Sequence, residues 1–208
     1  MPNTTLSSAA AHVARRDKVM ARLMKRTGPF RLPSRTTDHF GALAESILYQ
    51  QLAGAAAAAI HRRFVALFDG GLSPEAVLAI PPRKLRGAGL SGSKVASIRD
   101  LAAKVVEGTV PLGRIGRYSD EEIVTRLSVV RGIGRWTSEM FLIFQLRRLD
   151  VWPVDDYGVR KGYSLAYGLR DLLTPKQLEG EGERFRPYRT VAAWYCWQAV
   201  REQRKLRE

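Results

Sequence analysis

The chain has 208 residues, 45% of them apolar and 26% charged, which suits one or two globular domains with a substantial core. Its formal net charge of +14 predicts a polyanionic partner, with nucleic acid as the first choice. The single cysteine, Cys196, excludes an internal disulfide, and three scattered histidines give no plausible zinc site, so we expect no side-chain metal site and no cofactor. Because the chain has no signal-peptide core and no run of about 20 apolar residues, we expect a cytoplasmic protein that does not enter a membrane.

Helical periodicity dominates the chain, so we predict an all-α fold. Glycine and proline separate the helical patterns, and a cap at Asp38 or Thr37 is expected to open the second helix. In chain order the predicted helices cover residues 9–26, residues 40–52, an alanine-rich stretch through Phe68, residues 73–80, a stretch that ends near Gly87, residues 94–107, and a helix that opens at Ser119 with three acids in its first turn.

Two features in this part of the chain allow two interpretations each. Gln50 and Gln51 interrupt an apolar pattern, as solvated surface positions do. The Gly-Ser turn before Lys94 is either a plain helix cap or, because the following helix starts with a basic residue, a phosphate site.

The segment 127–138 predicts two helices joined by a hairpin at Gly132, Ile133 and Gly134. Glycines on both sides of one apolar residue let the backbone turn, while Ile133 anchors the turn in the core. The amides after Gly132 are then expected to be unpaired at a helix start, where the dipole and the N–H groups attract a phosphate. A simple pair of helix caps is the alternative interpretation.

An acidic pair, Asp155 and Asp156, follows the hairpin after about one helix and one loop, and it precedes a new helical pattern. An ordinary cap explains one of the two acids, and we assign capping or support to Asp155. Pro153 fixes the path by which the loop enters the helix. A carboxylate held ionised at a helix N-terminus suits an acid that faces a developing cation, and we assign this role to Asp156.

The last predicted helix, from about residue 187 to residue 204, carries Trp194, Tyr195 and Trp197. Such a cluster is either core packing or an aromatic binding surface. Cys196, in the same helix, is expected to pack in the interior.

Together, the hairpin, Pro153 and Asp156 resemble the signature of the helix-hairpin-helix DNA glycosylase superfamily, in which a hairpin is followed by a Gly/Pro-rich loop and an essential Asp. The runs 131–137 and 154–157 look most like its alkylation-repair branch, the 3-methyladenine DNA glycosylase II type, and the resemblance covers residues 40–197. It implies a two-lobed, all-α helix-hairpin-helix fold with a cleft between the lobes, in a compact form without the N-terminal β domain of some members. It also implies cleavage of the N-glycosidic bond of alkylated purines that are flipped out of double-stranded DNA.

The resemblance assigns site residues position by position. Asp156 is the expected catalytic acid, which stabilises an oxocarbenium-like sugar. The expected base-pocket residues are Tyr49, Gln50, Trp136, Met140 and Trp197, the candidates for insertion into the duplex are Gln51 and Leu52, and the expected phosphate-binding residues are Gly132, Ile133, Gly134, Arg135 and Thr137. Two positions depart from the family, because aliphatic wedges are more common than Gln51 and because an aromatic residue often stands in place of Met140.

Trp136 and Trp197 would offer indole faces to a cationic alkylated purine, and the stacking and cation–π attraction are on the order of 1–2 kcal/mol. Trp136 also occupies the position where members that nick the strand carry a Schiff-base lysine. The resemblance therefore implies a monofunctional glycosylase that leaves an abasic site. As in relatives, the backbone carbonyls of Ser128, Val130 and Ile133 are candidates for holding a monovalent cation.

Two other function classes are alternatives. One is a non-catalytic hairpin module that grips DNA, which Asp156 and the paired tryptophans argue against. The other is a glycosylase for oxidised or deaminated bases, and the absent lysine argues against its lyase form. We expect a monomer acting on damaged double-stranded DNA. The expected domains are residues 1–38, a helix and loop that pack with the C-terminal lobe; 39–118, a helical lobe with the intercalating loop; and 119–208, with the hairpin, the catalytic Asp and the C-terminal helices.

Overall fold

The computed structural model describes residues 6–35, 38–52 and 54–206. These residues form α-helices joined by turns and short irregular segments, with no strand among them, so the all-α prediction is confirmed. None of the helices in the described ranges has the length and apolarity needed to cross a membrane. Asp38 caps the helix after the first loop, as expected, whereas the alternative cap Thr37 lies outside the described residues.

In chain order the α-helices are α1 (Leu6–Arg16), α2 (Lys18–Thr27), α3 (His39–Tyr49), α4 (Gly54–Val65), α5 (Pro74–Ala79), α6 (Pro82–Gly87), α7 (Gly92–Val106), α8 (Asp120–Ser128), α9 (Arg135–Met140), α10 (Tyr157–Tyr167), α11 (Pro175–Gly182) and α12 (Arg189–Lys205). A π-helical turn, Phe141–Gln145, follows α9, and 3-10 helices cover Leu112–Arg117 and Glu183–Phe185.

The chain divides into two compact units. The first unit comprises the described residues of Met1–Ser34 and Leu142–Glu208, and it contains α1, α2 and α10–α12. The second unit, Arg35–Phe141, contains α3–α9. The divisions fall after residues 34 and 141, where the sequence suggested 38 and 118, and they group the hairpin with α3–α7.

Asp17 separates α1 from α2, so the prediction of one helix over residues 9–26 is wrong. Its backbone is extended (φ −140°, ψ 113°), and its side chain accepts a hydrogen bond from Met20 N (2.8 Å) as the N-cap of α2. An aspartate side chain can accept a hydrogen bond from a nearby backbone N–H and so interrupt a helix. The spacing of apolar residues does not reveal such an interruption.

Helix α3 ends at Tyr49, three residues before the predicted end at residue 52. The carbonyl oxygens at the end of this helix are satisfied by Lys94, whose Nζ donates to Leu48 O (2.6 Å) and Gln50 O (2.9 Å). Lysine commonly binds the last carbonyls of a helix in this way. The end of α3 therefore depends on a tertiary contact with α7, which local sequence does not encode.

Candidate active site

Asp156 begins α10 as its N-cap residue. Its Oδ1 accepts a hydrogen bond from Val159 N–H (2.8 Å) and another from the indole Nε1–H of Trp197 (2.9 Å). The residue is only 8% exposed, and its position at the positive end of the α10 dipole favours a negative charge. Two donors on one oxygen restrict the rotation of the carboxylate, so the acid predicted to be catalytic is held in a defined orientation.

Of the two adjacent acids, Asp156 and not Asp155 caps α10. Asp155 is exposed and precedes the helix, so of the two roles assigned to Asp155, capping or support, capping is wrong and support stays a prediction. An N-cap side chain accepts from the amide three residues later, and only Asp156 stands at that spacing from Val159. The capping role and the proposed catalytic role therefore belong to one carboxylate.

Two glycines let α10 approach α12 at this acid. Gly158 and Gly162 are four residues apart and so share one face of α10. A Cβ at position 158 would lie 2.8 Å from Trp197 Cδ1 and 3.0 Å from Asp156 Oδ1, and a Cβ at position 162 would lie 1.9 Å from Cys196 O. These glycines were not singled out from the sequence, although small residues at this spacing are a known signal of close helix packing.

Phe144, in the π-helical turn after α9, stacks on Trp197 with ring centroids 5.6 Å apart and planes at 26°. The two remaining aromatic residues of the C-terminal cluster differ from Trp197: Tyr195 is 1% exposed, and Trp194 packs edge-on against it at 4.8 Å. Core packing is therefore confirmed for Tyr195, whereas the aromatic binding surface stays a prediction for Trp197. In the sequence Phe144 is only an apolar helix position, and no local signal distinguishes it from a core residue.

Cys196 is fully buried on α12, as expected of a packing residue. Burial raises the pKa of its thiol, and the nearby Asp156 carboxylate raises it further. The thiol therefore stays protonated and unreactive at neutral pH.

The hairpin between α8 and α9 lies in the second unit and has the predicted form. Gly132 adopts φ 80°, a left-handed conformation, and a Cβ there would lie 2.9 Å from Ser97 Oγ. Ile133 is 3% exposed and anchors the turn, as expected. Asp100 of α7 accepts a hydrogen bond from Arg131 N–H (2.7 Å), which ties the start of the hairpin to α7.

The hairpin amides are only partly available to a phosphate. Ile133 N–H donates to Val130 O (3.0 Å), so the expectation that every amide after Gly132 is unpaired is wrong. Both residues belong to the hairpin turn, so this amide is used within the turn and is not available to a phosphate. The first-turn amides of α9, beginning at Arg135, have no acceptor within the helix and keep the geometry expected of an anion site.

The side chains of Arg135 and Thr137 make contacts inside the second unit. Arg135 pairs with Glu121 and Glu139, and the hydrogen bond to Glu121 raises the pKa of the guanidinium. Thr137 is 5% exposed, and its Oγ1 is 3.5 Å from Gln50 Nε2. Phosphate contacts at these two positions are therefore expected from the backbone and not from the side chains.

The loop after α3 is joined to the hairpin through Gln50, whose Nε2 donates to Gly132 O (2.9 Å). Gln51 follows in a left-handed conformation (φ 57°) that residues other than glycine rarely adopt, and it is exposed. Leu52 is 38% exposed. Both candidates for insertion into a duplex thus lie at the surface of the second unit.

The Gly-Ser turn at residues 89–94 is a plain helix cap. Ser91 Oγ accepts from Lys94 N (3.2 Å), and the Lys94 ammonium donates to the carbonyls at the end of α3. Burial lowers the pKa of Lys94. Because the ammonium is hydrogen-bonded within the protein, the alternative of a phosphate site here is not supported.

Three further expected pocket residues also lie in the second unit. Trp136, in the first turn of α9, is 46% exposed, which is unusual for so large an apolar side chain. Tyr49 is 37% exposed, and Met140 is half-buried at the end of α9. Exposed aromatic side chains beside the hairpin are consistent with a binding surface, and their assigned roles stay predictions.

Within residues 6–35, 38–52 and 54–206, no three His, Cys, Asp or Glu residues are grouped so that they could hold a metal ion. The monovalent cation site expected at the carbonyls of Ser128, Val130 and Ile133 stays a prediction. Val130 O already accepts the Ile133 amide, and a carbonyl oxygen has two lone pairs, so this hydrogen bond is compatible with a cation there.

Known proteins resemble this chain in both sequence and structure. Residues 44–187 match the family described as HhH-GPD superfamily base excision DNA repair protein. DNA-3-methyladenine glycosylase 1 of Schizosaccharomyces pombe is 36% identical over 200 residues, which cover 93% of this chain and 87% of the yeast protein. A solved 3-methyladenine DNA glycosylase from that yeast, in complex with abasic DNA, gives a TM-score of 0.81 at 35% identity and covers 91% of this chain and 95% of its own. The DNA-3-methyladenine glycosidase structure from Bacillus halodurans gives a TM-score of 0.88 at 32% identity, covering 96% of this chain and 92% of its own. The chain therefore belongs to the HhH-GPD superfamily of base excision DNA repair proteins.

Proposed function

We propose that this protein is a monofunctional DNA glycosylase that removes alkylated purines of the 3-methyladenine type from double-stranded DNA and leaves an abasic site. Within that activity we assign it to the 3-methyladenine DNA glycosylase II type. The observation that carries the proposal is the buried carboxylate of Asp156, oriented by Trp197 Nε1–H. The resemblance to the family implies that this residue is the essential Asp. The names of the relatives at 35–36% identity support the substrate class.

The Asp156 carboxylate is suited to stabilising a positive charge on the sugar. When the N-glycosidic bond breaks, its electron pair leaves with the base and the sugar becomes oxocarbenium-like. A carboxylate that is shielded from bulk water interacts with that charge more strongly than an exposed one. Water then adds to the sugar carbon and loses a proton, which Asp156 accepts as a general base. A cationic alkylated base departs as a neutral molecule, so this step needs no general acid.

The aromatic pair beside the acid accounts for selectivity. The stacked rings of Trp197 and Phe144 form an electron-rich surface next to Asp156. A cationic alkylpurine gains cation–π attraction on such a surface, on the order of 1–2 kcal/mol, which a neutral base does not. The pocket roles of the remaining residues rest on the family resemblance alone: Tyr49, Gln50, Trp136 and Met140.

For DNA binding, we propose that the backbone amides at Gly134 and at the start of α9 bind a phosphate. Gln51 or Leu52 enters the duplex and fills the space of the flipped nucleotide. The formal net charge of +14 supports binding to a polyanion.

A base-release assay tests the proposal. Purified protein is incubated with duplexes that carry 3-methyladenine, 7-methylguanine, ethenoadenine, hypoxanthine or 8-oxoguanine, and free base and abasic sites are quantified. Wild-type protein should release the alkylated purines, and Asp156→Asn should release them on the order of 10²–10³-fold more slowly, because the stabilising charge is lost. Asp155→Asn, which removes the exposed neighbouring charge, is the matched control and should act like the wild type.

Two results would contradict the proposal. Duplex binding by the wild type without release of any base would indicate a binding module. A covalent adduct trapped with borohydride on 8-oxoguanine DNA would indicate a lyase with a Schiff-base amine.

A further inference from the structure

The outward side of α2 in the first unit is basic along its length. Lys18, Arg22 and Lys25 follow i, i+4, i+7 spacing, which places them on one side of the helix, and all three are exposed. Met20 and Leu23 lie on the opposite side and are buried. We call Lys18, Arg22 and Lys25 the α2 basic face.

None of the three cations of this face forms an ion pair with a described residue. The sequence contains no Asp or Glu between residues 18 and 37. The three side chains make no hydrogen bond or ion pair with any described residue, whereas the neighbouring Arg26 pairs with Glu202 at 3.1 Å. That ion pair joins the C-terminal ends of α2 and α12, where three more cations are exposed: Arg201, Arg204 and Lys205.

This arrangement is unfavourable for the isolated helix. Lys18 is the first residue of α2, where the helix dipole disfavours a cation. Lys18 and Arg22 are also like charges at i, i+4, and Arg22 and Lys25 are like charges at i, i+3, and such pairs destabilise a helix. Asp17 caps the start of this helix, but none of the three cations forms an ion pair with a described residue, and a bound polyanion would relieve the repulsion between them.

We propose that the α2 basic face binds the phosphate backbone of duplex DNA, as a second DNA contact separate from the hairpin. The seven-residue step from Lys18 to Lys25 rises about 10 Å along the helix, which matches about three phosphate-to-phosphate steps of one strand at 3.4 Å of axis each. The contact carries no sequence or lesion information, because it is electrostatic. This proposal rests on the proposed function only for the identity of the polyanion, which is DNA.

The test compares two variants that remove the same charge from different places. The face variant carries Lys18→Gln, Arg22→Gln and Lys25→Gln. The control carries Arg114→Gln, Arg170→Gln and Lys176→Gln, three exposed cations without a side-chain partner among the described residues. Each variant lowers the formal net charge of +14 by three, so any difference between them reports the placement of the charge.

Binding to undamaged duplex is measured by fluorescence anisotropy between about 50 and 200 mM salt. The slope of log K against log salt changes by about 0.9 for each phosphate that the protein no longer neutralises. The face variant should therefore show a slope about two to three units shallower and bind at least about tenfold more weakly at low salt. The slope of the control should change by less than about one unit. Replacing Lys18 and Lys25 by Arg and Arg22 by Lys should retain the wild-type slope.

Equal slopes for the face and control variants, or a wild-type slope for the face variant, would overturn the proposal. Thermal unfolding checks the fold, and the face variant should melt at or above the wild-type midpoint because repulsion is removed.

A second experiment asks whether the α2 basic face binds a separate DNA segment or the flank of the duplex that the hairpin binds. Co-capture of a second, differently labelled duplex would indicate a separate segment. These experiments measure binding to undamaged DNA and not base release. Their result is therefore independent of the test of the proposed glycosylase activity.

Discussion

A Cβ atom at Gly162 would lie 1.9 Å from the backbone oxygen of Cys196, so α10 and α12 touch through their backbones at that point. One helical turn earlier, Gly158 leaves room for the Trp197 indole beside Asp156. The 2.9 Å hydrogen bond between Trp197 and Asp156 therefore depends on helix packing that only glycine permits. The close contact between α10 and α12 therefore affects both the stability of the fold and the geometry of the candidate site.

Gly162→Ala should destabilise the protein by about 3 kcal/mol or more, because the added methyl group meets backbone that cannot rotate away. Gly180→Ala is the matched control, since Gly180 lies within α11 with nothing within 4 Å of a Cβ. The control should stabilise by about 0.5–1 kcal/mol. Urea unfolding at neutral pH measures both changes, and a Gly162→Ala variant as stable as the wild type would contradict the backbone contact.

Trp197→Phe should slow release of alkylated purines by roughly 10- to 100-fold, because it removes the indole N–H that donates to Asp156 while keeping an aromatic ring against Phe144. This range corresponds to a charged hydrogen bond of about 1.5–3 kcal/mol. Trp197→Leu removes the ring as well and should also reduce discrimination between cationic and neutral bases. Single-turnover rates on 7-methylguanine and hypoxanthine duplexes separate the two effects, and wild-type rates for Trp197→Phe would show that the hydrogen bond is not needed.

The sequence was sufficient to predict features that local residues determine. The all-α class, the hairpin at Gly132–Gly134, the buried Ile133 and the cap at Ser119 follow from periodicity, glycine and capping chemistry, which act within a few residues. Asp156 was singled out as the candidate acid because a proline-bearing loop and an acidic helix start coincide in the chain; its place at the helix start is confirmed, and its catalytic role stays a prediction. The family resemblance, not the local pattern, linked it with Trp197, which lies 41 residues further on.

Features that depend on distant residues were missed. The end of α3 is set by Lys94, and Arg135 is held by Glu121, 14 residues earlier in the chain. The stacking of Phe144 on Trp197 and the approach of Gly162 to Cys196 likewise require the packed first unit. Periodicity shows that such residues are apolar or small, but it does not name their partners.

Gln50→Leu should weaken binding to an abasic-site duplex by about 3- to 10-fold, because the loop that carries Gln51 loses its hydrogen bond to Gly132 O. A neutral hydrogen bond contributes about 1 kcal/mol, which sets this range. Gln203→Leu, at a position with no side-chain hydrogen bond to any described residue, is the control and should bind like the wild type. Titration by fluorescence anisotropy measures the affinity, and equal affinities for the two variants would argue that the loop does not need this tether.

The hairpin should lose support at acidic pH because of Asp100. Burial alone would raise the pKa of this carboxyl, but hydrogen bonds from Arg131 N–H and Lys104 outweigh burial, so the pKa lies below its ordinary value. A lowered folded-state pKa gives stabilisation that is complete above the unfolded-state pKa of about 3.9 and is lost as the pH falls through the folded-state value.

Asp100→Asn keeps a hydrogen-bond acceptor at this position but removes the charge. The difference in free energy of unfolding between wild type and Asp100→Asn should therefore be constant from about pH 6 to 8 and shrink below about pH 4. Urea titrations across this range measure it, with the exposed Asp69→Asn as control, and a difference that does not change with pH would rule out the charged contact.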